Sequence, residues 1–295
     1  MTSPTTVRQG RRVAPGTRTF LLVFAVLTVV ATNQLFVLAG ATARWFAWTI
    51  QPPLTAAFLG SGYASGFLLV LLVLRTRLWV EARLTLVSVL VFATVSLAAT
   101  LLHTDRFHFG ADGTVARFAA WFWLAVYVVV PVGLAVVVVR AHRSPGHDPV
   151  RRAPLPRWLQ VPLVLHAVVL LPLGVALLVA PTSASGLWPW ALTPLTAQMV
   201  AAWLLAFGVV AVGALAEDDL DRLAGPALAY AAFGLLQGLA LVVYGDAFRW
   251  GTSQGTTYLV VLATVPLVGL AGWLTARRHP AVPDRVPHPV LEKTS

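Results

Sequence analysis

Residues 118–139 read Phe118-Ala-Ala-Trp-Phe-Trp-Leu-Ala-Val-Tyr-Val-Val-Val-Pro-Val-Gly-Leu-Ala-Val-Val-Val-Val139, with Arg117 before them and Arg140 after. No charge interrupts the run. A helix rises 1.5 Å per residue, so about 20 apolar residues cross a hydrocarbon core ~30 Å thick. With its flanks this stretch covers 115–140. Seven others of the same kind lie on either side of it, at 19–40, 54–75, 82–103, 159–180, 194–216, 223–245 and 256–276. Pro131, Pro172 and Pro266 fall inside such runs, as is common in membrane helices. The fold expected is therefore an all-α bundle of eight transmembrane helices.

The whole chain agrees. It has 295 residues, 58% hydrophobic against 11% charged. A soluble domain carries about a quarter charged residues, so too few remain here to cover a water-facing globule. That excludes a soluble enzyme, a nucleic-acid-binding domain and a disordered chain. The net charge of +10 lies in the flanks of apolar runs, where it speaks for membrane orientation. Cysteine is absent, which removes disulfides, thiol catalysis, Cys-ligated metals and Fe–S clusters.

Arginine sets the orientation. Arg8, Arg11, Arg12 and Arg18 precede the first span; Arg75, Arg77 and Arg83 follow the second; Arg140, Arg143, Arg151, Arg152 and Arg157 follow the fourth. Arg222 follows the sixth, and Arg277, Arg278, Arg285 and Lys293 follow the eighth. Of the 21 basic residues only Arg44, Arg106, Arg117 and Arg249 fall on the other side. Both termini are expected in the cytoplasm of a bacterial inner membrane. The first span is longer than a signal-peptide core and is expected to be a mature helix.

The chain also repeats itself. Pro53-Leu-Thr-Ala56 recurs as Pro194-Leu-Thr-Ala197, 141 residues on. At the same offset Asp105-Arg-Phe-His-Phe-Gly110 matches Asp246-Ala-Phe-Arg-Trp-Gly251. Val130-Pro131 recurs as Val265-Pro266 after a deletion of about six residues. Four spans is an even number, so the two copies are expected to be parallel, about an axis along the membrane normal. The domains expected are a tail 1–18, a first four-helix repeat 19–140, a basic linker 141–157, a second repeat 158–277 and a tail 278–295.

Chemistry has few places to reside. Asp105 and Asp246 stand at the outer ends of spans three and seven, with His103, His108, Tyr244 and Arg249 nearby. Two roles are open for the carboxylates: capping free amides at neighbouring helix N-termini, or forming a paired acidic site. His103, Asp105 and His108 lack a diagnostic metal spacing, and the second copy has Tyr244 and Arg249 in place of the histidines; no metal or other cofactor is expected. Within the spans the polar candidates are His166, Asn33 and Gln34, with Gln198 and Gln237. Interhelical hydrogen bonds account for such groups; for His166 alone a proton relay or a haem ligand is the functional alternative, and haem lacks a second histidine at matching depth. Small residues from Gly60 to Gly66 allow close helix approach. Trp45, Trp48, Trp188 and Trp190 read as anchors at the headgroup level. Thr193 reads as an N-cap. Glu217-Asp-Asp-Leu-Asp-Arg222 is an acidic run at the inner face, paired with Arg75, Arg77 or Arg83, left as a solvated helix end, or offered to a basic protein partner.

Trp48-Thr-Ile-Gln-Pro-Pro-Leu-Thr-Ala-Ala-Phe-Leu-Gly60, Leu102-His-Thr-Asp-Arg-Phe-His-Phe109 and Trp188-Pro-Trp-Ala-Leu-Thr-Pro-Leu-Thr-Ala197 resemble segments of polytopic membrane proteins of actinobacteria that have no assigned function. The resemblance implies a bacterial membrane and carries no site residues.

The function expected is that of a non-catalytic multi-pass protein that binds or moves a small apolar or lipid-like molecule between the two copies. The alternatives are a membrane scaffold or assembly protein docking through Glu217–Arg222, and an outward-facing membrane enzyme. The enzyme requires the outer polar residues to converge in one cleft.

Overall fold

A computed structural model describes residues 10, 11, 13, 15–76 and 78–278. Arg77 and most of the two expected tails lie outside the described residues. The described residues form helices and turns, with two isolated β-bridges, Gly10–His147 and Trp48–Phe107. Eight helices are long and apolar enough to cross a membrane. They are α1 (Pro15–Thr32, continued by a π turn at Asn33–Val37), α2 (Pro53–Val73), α3 (Trp79–Leu102), α4 (Thr114–Arg143), α5 (Arg157–Val179), α6 (Pro194–Glu217), α7 (Leu220–Tyr244) and α8 (Ser253–Arg278). This is the architecture of a multi-pass membrane protein.

Local chemistry explains the ends. Pro53 and Pro194 occupy first helical turns, where a missing N–H costs nothing. Thr193 caps α6 as expected: its hydroxyl accepts from Thr196 N (3.3 Å), and Thr196 Oγ1 accepts from Thr193 N (2.8 Å). At the C-terminal end of α6, Asp218 takes a left-handed conformation (φ 44°), which Asp tolerates better than most residues. Asp219 then caps α7, accepting from Asp221 N at 3.2 Å.

α1 packs on α2 and α4 on α3; α5 packs on α6 and α8 on α7. The two sets of four join where α2 meets α7 and α3 meets α6. Between membrane helices, small residues allow close approach and dispersion contacts hold it. A Cβ on Gly269 of α8 would lie 2.6 Å from Ala231 N and Ala227 O of α7, so only glycine lets these backbones meet. The small run in α2 works the same way: Gly62 receives the indole of Trp203 from α6, 2.4 Å from where a Cβ would stand. The outer helices turn apolar side chains away from the bundle, among them Val132, Val168 and Leu267. Such a surface is costly in water and matched to lipid.

Two expectations fail at the ends of the bundle. Three of the four tryptophans expected as interfacial anchors are core residues: Trp48 and Trp188 are 2% exposed and Trp190 0%. The connections before α2 and α6 fold over the helix ends and push these indoles between helices, where Trp190 Nε1 donates to Thr55 Oγ1 (2.8 Å). An indole buries more area packed there than it does lying at an interface. Trp45 alone stays half-buried, under the guanidinium of Arg44.

The acidic run Glu217–Arg222 is not an open docking surface. Glu217 accepts from Arg83 (2.7 Å) and Arg222 (2.7 Å), and Arg83 also holds Asp148 (2.6 Å). Asp218 Oδ1 accepts from Leu155 N (2.9 Å), and Asp219 Oδ2 from Arg152 N (3.2 Å). Glu217, Asp219 and Arg222 are thereby buried, and Asp221 stays exposed. The pairing with Arg83 expected across the two sets is present; the surface expected for a partner is used up by it.

Candidate functional site

The residues expected at the outer face come first. α3 and α7 close in the same way. A single 3₁₀ turn, Thr104–Arg106 or Gly245–Ala247, delivers a buried phenylalanine, Phe107 or Phe248. Phe107 N donates to Thr104 O (3.2 Å) and Phe248 N to Gly245 O (3.0 Å); Phe109 N donates to Phe107 O (2.8 Å) and Trp250 N to Phe248 O (3.0 Å). The motif thus works through its aromatics and backbone. Its carboxylates face out: Asp105 meets only its neighbour Arg106 (3.1 Å), and Asp246 makes no hydrogen bond or ion pair among the described residues. Neither caps a helix, and no contact joins them, so both roles expected for them are corrected.

The remaining outer residues tie loops to helices. His103 Nε2 donates to Gln198 Oε1 (3.0 Å), whose Nε2 donates to Leu178 O (2.9 Å). His108 Nδ1 donates to Phe46 O (3.1 Å) and its Nε2 accepts from Thr49 (3.0 Å). Tyr244 donates to Phe36 O (3.4 Å). Arg249 is exposed, and its backbone N–H donates to Pro189 O (2.9 Å). The six do not gather in one cleft.

Within the helices, Asn33 and Gln34 stand in the π turn that closes α1, nearer its end than the span 19–40 implies. Asn33 is exposed; Gln34 is fixed between Trp45 O (2.8 Å) and Trp123 Nε1 (2.8 Å). His166 is buried at a three-helix knot. Thr264 of α8 spends its proton on Val261 O (2.7 Å), so His166 Nε2 donates to Thr264 Oγ1 (2.8 Å), and Nδ1 accepts from Tyr230 of α7 (3.1 Å). His166 thus joins α5 to α7 and α8 by hydrogen bonds.

Next to that knot, a cavity of about 380 Å³ fills the gap between α5 and α8. α6 and α7 form its back wall, with Phe58 of α2 behind them. Leu170, Phe207, Phe233 and Leu262 line its depth; Ser253 and Gln254 stand at the end nearest the outer connections. No charged residue lines it. Pockets that hold small molecules run from about 300 to 1,000 Å³ and are mostly apolar. Tyr258 in its wall donates to Gln237 Oε1 (2.8 Å), and Gln237 Nε2 to Ser61 Oγ (2.9 Å), which connects the cavity to α2.

No family model, curated protein or solved structure matches the chain.

The cavity does not lie where the sequence places it. Between the two sets, Trp203 packs at a tilt against Phe92 (4.0 Å between ring centres) and leaves about 50 Å³. The larger space lies inside the second set of four. A shallow hollow of about 440 Å³ at the α6–α7 junction is lined by Arg83, Arg151, Arg222, Asp148 and Glu217, all bonded to one another or to backbone. Sequence reasoning missed Tyr230 and Tyr258 as site residues. The available signal was their place in apolar spans, and the presence of Tyr258 where aligning Val265-Pro266 on Val130-Pro131 puts Trp123.

Proposed function

We propose that this chain is a bacterial plasma-membrane protein that binds a small apolar or lipid-like molecule between α5 and α8. The observation that carries this is the uncharged, aromatic-walled cavity of about 380 Å³, set between two outer helices that pack on α6 and α7 more than on each other. A molecule dissolved in the bilayer reaches it sideways without crossing water. The scaffold reading loses its docking residues to internal ion pairs, and the enzyme reading loses the convergence it requires.

We also read the fold as two parallel repeats with both termini in the cytoplasm. Supporting this, every helix pairing has its counterpart four helices on: α1–α2 with α5–α6, α3–α4 with α7–α8, and α2–α7 with α6–α3. The matched 3₁₀ closures of α3 and α7 agree with it. For orientation, the support is the arginine asymmetry, together with the contact of the N-terminal segment with the linker. Arg11 Nε donates to Gly146 O (3.1 Å), so both lie on one face.

The test is titration of purified protein in mild detergent with an apolar solvatochromic dye. Saturable binding is expected, at about one dye per chain, and is expected to vanish in Leu262→Trp, which fills the cavity. Unsaturable partitioning, equal in both chains, overturns the proposal.

A further inference from the structure

The cavity between α5 and α8 is longer than one hollow. From Ser253 to Val265 it follows α8 for about 18 Å, at 1.5 Å per residue. Past Val265 lies a second uncharged hollow of about 40 Å³. All four helices of the second set pass from one to the other at the same level. The lining runs from Leu170 to Leu163 on α5, from Leu204 to Ala211 on α6, from Phe233 to Pro226 on α7 and from Val265 to Gly272 on α8. Each step is seven residues, two helical turns, so the two hollows occupy the same faces of the same helices.

Among the described residues only Phe207 and Tyr230 line both hollows. Phe207 stands between Leu204 and Ala211, and Tyr230 between Pro226 and Phe233, with their ring centres 5.6 Å apart. The same two side chains line the space of about 50 Å³ between the two sets. They are the partition at which three spaces meet. Tyr230 is tethered in it: its hydroxyl donates to His166 Nδ1 (3.1 Å), and His166 Nε2 donates to Thr264 Oγ1 (2.8 Å). Swinging the ring aside would leave a buried hydroxyl and a buried imidazole unpaired, which is costly. The polar knot thus lies where it can hold the partition shut.

Resting on the cavity being a binding site, we propose that it takes a linear apolar chain, and that Phe207 and Tyr230 determine how far that chain reaches. The chain lies along α5 and α8 and ends against the two rings. His166 is a positioning residue that acts through Tyr230 to keep the second hollow closed to it.

The experiment is photolabelling of the full chain in lipid nanodiscs with decyl, hexadecyl and eicosyl diazirines, each with the diazirine at one chain end. In the wild type, saturable label is expected at residues 169–173, 204–207 and 258–265, and none at 159–163 or 268–272. Phe207→Ala removes half of the partition; Tyr230→Phe keeps the ring and removes its tether. In Phe207→Ala the hexadecyl and eicosyl label is expected to shift in part to 159–163 and 268–272 while the decyl label stays, with a smaller shift of the same kind in Tyr230→Phe. A loosened fold would change the amount of label without moving it with chain length. Wild-type label already at 268–272, or label that keeps its place in both variants, overturns the partition and leaves the cavity standing. Label that moves instead to 24–28 and 88–92 runs the chain between the two sets and overturns the assigned path. Absence of saturable wild-type label from every probe, or label that survives in Leu262→Trp, overturns the cavity reading itself.

Discussion

At Gly62 a hydrogen atom decides a helix contact. Its partner Trp203 stands 141 residues on, at the same position of the proposed repeat, so one copy supplies a hole and the other the side chain that fills it. Gly62→Ala puts a methyl carbon 2.4 Å from the indole and forces Trp203 or α2 to move. Overpacking of this kind typically costs about 1–3 kcal/mol. A fall in the detergent melting temperature is expected, partly recovered by adding Trp203→Phe; an unchanged melting temperature would mean the contact is loose. The sequence makes the small residues of α2 visible but not the tryptophan that meets them, because contact depends on which helices become neighbours. The same limit applies to Trp48, Trp188 and Trp190. An indole suits both a headgroup layer and a core, and only the fold of the connecting loops separates the two.

Among the elements, the eight spans are legible because arginines and prolines punctuate uncharged runs, and the helices begin and end within a few residues of those marks. The acidic run at the α6–α7 junction is legible as a feature and misleading as a surface. Its partners, Arg83 of α3 and the amides of Arg152 and Leu155 in the linker, lie far off in the chain, and pairing buries what composition alone places in water. The result is a strap. The linker is held to α6 and α7 through Asp218, Asp219 and Arg222, and Arg83 holds the first set to both. Orientation of these elements is directly testable, since the chain has no cysteine of its own. In intact cells, a cysteine at Gly110 or Ser253 is expected to react with an impermeant maleimide. One at Ser144 is expected to react only after the membrane is opened; the reverse pattern would invert the topology.

Taken whole, the molecule is symmetric in its helix pairings and asymmetric in its interior. At the positions that the proposed repeat matches to Leu204, Tyr258 and Leu262, which line the cavity, the first set carries Tyr63, Trp123 and Tyr127. Those three are buried together; the Tyr63 and Tyr127 hydroxyls are 3.3 Å apart, and Tyr63 lies 6.3 Å from Trp123. Larger side chains close the first site, and smaller ones leave the second open. The cavity was not legible before the fold because it arises from small volume differences at paired positions, with no charge or motif to mark it. One site per chain follows from this, and native mass spectrometry of protein extracted from its own membrane in mild detergent tests it most directly. The account predicts a single bound small molecule or lipid per chain, absent from Leu262→Trp. A wild-type chain that carries none, or a ligand retained at the same stoichiometry in Leu262→Trp, would contradict it.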